Sequence, residues 1–172
     1  MSTSKTIYLA GFDVFRPDAV AHGQRLQALC AEFGHTGLFP LDNQAPTDLH
    51  GEALAMWIYR ANIELIQRSD VVLANLANFR GHEPDSGTAF EVGYAAALNK
   101  PVWGYTDDGR PLVQQVPCTE PQSRPGYWVD AQGFAVEDFG LPRNLMLHGA
   151  GRIVVGGPRA ALESMQAAAR AA

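Results

Sequence analysis

Residues 70–76, DVVLANL, constrain the fold of this chain most. Apolar side chains stand at successive positions in the run, so it cannot be a strand with one face in water, where apolar and polar residues would alternate. It reads instead as a strand covered on both faces, the kind found in parallel sheets packed between helices. The flanking segments agree. Upstream, residues 52–68 contain neither Gly nor Pro and place Leu54, Trp57, Ile58, Ile63, Leu65 and Ile66 at helical spacing, which predicts a long helix with those residues on its core side. Downstream, ANFRGHEPDSG reads as loop, TAFEVGYAAALNK as helix and PVWGY as a further apolar strand.

The same alternation runs through the rest of the chain. Residues 5–10 (KTIYLA) predict a first strand ending at Gly11, and residues 19–34 a helix carrying Val20, Leu26, Leu29 and Phe33 and closing at Gly34. TGLFP predicts a brief second strand. The PLDNQAPTDLHG that follows is too long for a minimal connector and invites a functional reading. Residues 106–140, rich in Pro, Gly, Asp and Gln, read mostly as loop; RIVVGG predicts a late strand and residues 158–172 a closing helix. A β-α-β-α order of this kind predicts one domain over 1–172, an α/β fold with a doubly wound, mainly parallel sheet flanked by helices and joined by right-handed crossovers. Ligands then belong at the carboxyl ends of the strands.

Composition narrows the partners. The 172 residues carry a net charge of −5, which offers no general attraction to a phosphate backbone, so a small substrate is expected and not a nucleic-acid polymer. No stretch approaches the roughly 18 apolar residues of a membrane span, and the N-terminus lacks a signal-peptide pattern. Cys30 and Cys118 belong to no Cys-x-x-Cys pair and are expected to be plain thiols. Cytoplasmic location and no membrane partner are the corresponding expectations.

The chemistry is expected in residues 79–101, FRGHEPDSGTAFEVGYAAALNKP, where Arg80, His82, Glu83, Asp85 and Glu91 gather as a loop becomes a helix. Two readings of Glu91 compete. Thr88-Ala89-Phe90-Glu91 fits a capping box, in which the glutamate serves free backbone N–H groups; a carboxylate near a helix N-terminus also suits a nucleophile facing a cleft. Asp85 likewise reads either as a helix N-cap or as a second carboxylate beside Glu91, the pair that retaining cleavage of a glycosidic bond employs. His82-Glu83-Pro84-Asp85 has ligand-type side chains, but the proline breaks their register and no second cluster exists, so no metal is expected. No G-x-x-x-x-G-K-[ST] occurs, which disfavours nucleoside triphosphate chemistry.

KTIYLAG, the long segment NIELIQRSDVVLANLANFRGHEPDSGTAFEVGYAAALNKP and EDFGLPRNLML together resemble the nucleoside 2-deoxyribosyltransferase family, in particular its purine-preferring members from protozoan parasites. The resemblance implies a Rossmann- or flavodoxin-like sheet and a ping-pong exchange between a 2'-deoxynucleoside and a free nucleobase, with no cofactor. Under it Glu91 is the nucleophile, Asp85 contacts the sugar and assists proton transfer, and Tyr8 orients Glu91. Asn62 stands where other members carry an aspartate against the base. Asn144 completes a neighbouring subunit's site, which implies a homo-oligomer. Gly11, Phe12, Arg80 and Gly87 are the remaining candidates for substrate contacts. The alternatives are a hydrolase acting on deoxynucleosides or their 5'-monophosphates through the same intermediate, and a nucleotide-sensing module without turnover.

Overall fold

A computed structural model describes residues 4–171 of the chain. The elements in order are β1 (Thr6–Ala10), α1 (Ala19–Glu32), β2 (Thr36–Leu38), α2 (Gly51–Arg68), β3 (Val71–Asn75), α3 (Ser86–Ala97), β4 (Val102–Thr106), α4 (Leu112–Gln115), β5 (Cys118–Thr119), β6 (Val129–Asp130), α5 (Leu145–Gly149), β7 (Arg152–Val155) and α6 (Pro158–Ala171). Short 3-10 turns, Phe12–Phe15 and Pro40–Asp42, follow β1 and β2. Five strands form a parallel sheet in the order β2-β1-β3-β4-β7, as the alternating pattern predicts.

Each strand of the middle of the sheet divides its side chains between two cores. Ile7, Leu9, Val71, Leu73, Trp103 and Tyr105 face α1 and α6, where Leu26, Cys30, Leu162 and Met165 meet them. Tyr8, Ala10, Val72, Ala74 and Leu76 face the other way, towards Leu65 and Ile66 of α2 and Val92 and Ala95 of α3. Burial on both faces explains why β3 lacks alternation. The strand order turns at β1: β2 lies on one side of it and β3 on the other. The crevice of such a sheet opens beyond the carboxyl ends of those strands.

The 106–140 segment is more ordered than its composition predicts. It holds the short helix α4 and a small antiparallel pair, β5 with β6. Just beyond it Arg143, fully buried, ties the excursion back to the sheet. Its Nε donates to the Leu76 carbonyl at 2.6 Å, its Nη1 to Gln115 Oε1 at 2.6 Å and to the Pro142 carbonyl at 2.7 Å, and its Nη2 to Thr106 Oγ1.

Candidate active site

A cavity of about 390 Å³ lies beyond the end of β1, between the turn at Gly11–Phe15, the loop at Pro40–Ala45, the middle of α2 and the first turns of α3. Glu91 and Asp85 both line it, as do Gly11, Asn62 and Gly87. Tyr8, alternating to the α3 side of β1, reaches across 83 residues of sequence and donates its hydroxyl hydrogen to Glu91 Oε1 at 2.5 Å.

The capping-box reading of Glu91 is corrected by the helix's true start. α3 begins at Ser86, two residues earlier than the sequence pattern predicts, and its N-cap is Asp85, whose Oδ2 accepts from the Thr88 N–H at 2.9 Å and from Thr88 Oγ1 at 3.0 Å. Thr88 is therefore a buried residue of the first turn, and Glu91 stands in the second turn, past the free N–H groups. The N-cap reading of Asp85 holds, and the same side chain borders the cavity. Gly87 leaves room for it, since a Cβ there would come within 3.1 Å of Asp85 Oδ2.

Burial raises the Glu91 carboxyl from the ordinary value of 4.5 to about 7; the charge of Asp85 pushes it further up, while the bond from Tyr8 pulls it down. The Tyr8 phenol is itself pushed far up by burial and then by the Glu91 charge, so it remains a donor at any physiological pH. Asn62 Oδ1 is buried and has no hydrogen-bond partner among the described residues. A buried amide oxygen left so calls for a donor from outside the chain. No lysine, arginine or histidine is among the residues lining the cavity.

The other sequence candidates lie elsewhere. The ring of Phe12 stacks on Phe79 at 5.0 Å and borders a different hollow; the Arg80 guanidinium sits over Phe79 at 4.6 Å and over Phe15 at 5.4 Å. Neither lines the cavity that holds Glu91. Asn144 caps α5, accepting from the Met146 N–H at 2.9 Å and donating to Glu137 Oε1 at 2.7 Å, away from its own chain's cavity. Among the described residues no three of His, Cys, Asp and Glu gather as metal ligands would.

The cavity walls include residues that sequence reasoning assigned to the core. Trp57 and Ile58, placed by helical spacing on the buried side of α2, face the cavity; only Leu65 and Ile66 of that helix are fully buried. Phe15 and Leu41 complete the apolar wall. The signal was a surplus: α2 carries more apolar residues than one sheet face can cover.

Residues 7–146 match the sequence profile of the family described as nucleoside 2-deoxyribosyltransferase. The solved 2-desoxiribosyltransferase of Leishmania mexicana is similar to this chain at 37% identity, covering 94% of this chain and 97% of its own, with a TM-score of 0.75. An uncharacterized protein of Schizosaccharomyces pombe is 34% identical over 83% of this chain and 75% of its own length. A conserved protein of Enterococcus faecalis shares the fold at 22% identity, with 96% of this chain and 99% of its own covered and a TM-score of 0.64.

Proposed function

The chain belongs to the nucleoside 2-deoxyribosyltransferase family, and we propose that it moves 2-deoxyribose between nucleobases, purines above all, with Glu91 as nucleophile. The observation that carries this reading is the Tyr8–Glu91 bond at the wall of a mostly apolar cavity that also holds Asp85. In the first half-reaction Glu91 attacks C1' of the deoxynucleoside. The C1'–N bond breaks, its electron pair leaves with the base, and the base takes a proton, for which Asp85 is the nearest carboxyl on the cavity wall. In the second, a ring nitrogen of another base attacks C1', its proton returns to Asp85, the ester bond to Glu91 breaks, and the carboxylate is restored with net retention. Asn62 presents an unpartnered carbonyl oxygen and an amide N–H₂, the donor and acceptor pair suited to a purine edge.

The absence of a cation from the lining favours nucleosides over their 5'-monophosphates, since a phosphate would enter beside two carboxylates with nothing to balance it. We expect 2'-deoxyinosine with adenine to yield 2'-deoxyadenosine, and 2'-deoxyinosine 5'-monophosphate to react at least ~10-fold less efficiently from charge repulsion alone. Chromatography of the products checks both. Free 2-deoxyribose in place of a new nucleoside would make the protein a hydrolase, and binding without turnover a sensor.

The rate is expected to follow the ionised form of Glu91. Because its carboxyl is raised to about 7, kcat/KM should fall as pH drops through that value. Tyr8→Phe removes the one interaction that lowers this pKa, so the acid limb of the profile should move to higher pH. An unmoved limb would count against Glu91 as the titrating group.

An assembly of copies accompanies this reading. Tyr59 of α2 and Phe90 of α3 are 49% and 50% exposed, with ring centroids 6.0 Å apart, and Met56 of α2 and Leu98 at the end of α3 are exposed as well. Asn144 then serves a neighbouring copy's cavity, having no place at its own. Sedimentation of a monomer at micromolar concentration would refute this.

A further inference from the structure

Two loops meet at the switch point, one after β1 that walls the cavity and one after β3 that leads to Asp85. Contacts outside the cavity join them. Asp13, 4% exposed, accepts from Asn75 Nδ2 at 2.9 Å through Oδ2, and its Oδ1 lies 3.1 Å from His22 Nε2. Arg25 Nη2, which can only donate, stands 3.3 Å from the other ring nitrogen of His22, so Nδ1 accepts and Nε2–H points at Asp13. Asn75 turns its own Oδ1 to the Ala77 N–H at 3.2 Å. A carboxylate of the first loop thus fixes the opening turn of the second.

A second tie lies beside it. Phe79 stacks on Phe12 at 5.0 Å and on Phe15 at 5.4 Å, and Arg80 covers Phe79 and Phe15 with its guanidinium. Arg80 holds φ 54°, a left-handed backbone that an arginine keeps only where its surroundings impose it. Gly11 threads between the ties: a Cβ there would meet Asp13 Oδ2 at 2.7 Å and Asn75 Cβ at 2.8 Å.

We propose that the Asp13–Asn75 bond and the Arg80-covered aromatic stack form one clasp that fixes the Gly11–Phe15 wall of the cavity, with Asp13 as a positioning residue that keeps water from the sugar–enzyme ester. The proposal rests on the transferase reading. When the clasp loosens, water competes with the incoming base: its oxygen attacks C1', the bond to Glu91 breaks to restore the carboxylate, and the water's proton passes to solvent. Asp13 touches no substrate, so its loss changes the partition between acceptors more than the capture of the donor.

The test uses the full chain as wild type, Asp13→Asn, and the exchanged pair Asp13→Asn with Asn75→Asp. In the single variant the introduced amide faces the amide of Asn75, donor against donor if His22 keeps its acceptor. The loss of one buried hydrogen bond predicts that 2-deoxyribose released per base transferred rises about fivefold or more. The exchanged pair restores donor to acceptor across the loops and should bring the ratio back towards wild type, which a general loss of folded protein would not do. Amide hydrogen exchange supplies a readout independent of turnover: residues 11–16 and 76–81 should lose protection together in Asp13→Asn and regain it in the exchanged pair. An unchanged release ratio, or faster exchange in one loop alone, overturns the clasp. If the wild type transfers no base, the reading of the site fails, and the exchange data by themselves decide whether the clasp exists.

Discussion

Glu91→Gln is expected to reduce base transfer by at least ~10³-fold, the usual cost of removing a covalent nucleophile, while making the protein more stable at pH 8. Both effects come from the same carboxyl. Its pKa is raised from 4.5 to about 7, so between those values the folded chain holds a proton that the unfolded chain has released. Stability therefore declines as pH rises through that window, and above about 7 the full cost of a buried anion is present. At about 1.4 kcal/mol per unit, that cost is of order 3–4 kcal/mol. Glutamine has no proton to lose and its Oε1 still accepts from Tyr8, so thermal unfolding at pH 8 should move up by about 10 °C for a chain of this size. At pH 4.5 the two proteins should melt alike. A variant that is inactive and also less stable at pH 8 would return Glu91 to a structural role.

Arg143→Met should act in the opposite sense and touch no reacting atom. The guanidinium is fully buried and among the described residues makes no ion pair; its partners are the Leu76 and Pro142 carbonyls, Gln115 and the Thr106 hydroxyl. Burial lowers its pKa, while Asp107, Asp108 and Glu83 at longer range favour the charge. Methionine fills similar space but leaves several buried acceptors without a donor, for an expected loss of about 3–5 kcal/mol. Circular dichroism should record a melting point lower by about 10 °C. A loss under about 1 kcal/mol would mean that the 106–142 excursion is held by something other than this residue.

Most of the sheet was legible because its signal is local. Runs dominated by apolar residues at 71–75 and 102–106, separated by a helical period, report burial on two faces without reference to anything distant. The site was legible only in part. Glu91 and Asp85 lie six residues apart on one helix start, so a single segment displays both, whereas Tyr8 depended on family resemblance, since nothing local links it to a carboxylate 83 residues away. Helical spacing on α2 could not separate a side chain facing the sheet from one facing a hollow, which is why Trp57 and Ile58 looked like core. Arg80 looked like a pocket residue because of its place in the motif, and its aromatic partners come from two loops. β5 and β6, two residues each, are too short to show any period.

The bond between Tyr8 and Glu91 has a consequence for how such a protein can change. It ties the carboxylate proposed as nucleophile to β1 at the centre of the sheet, whose strands pack into cores on both faces. The rest of the cavity wall hangs on the Gly11–Phe15 and Pro40–Ala45 segments and on the middle of α2, and on the transferase reading these are the surfaces that would meet the base. On that reading, substrate range would drift through substitutions in loops and one helix face while the proposed sugar chemistry stays where it is.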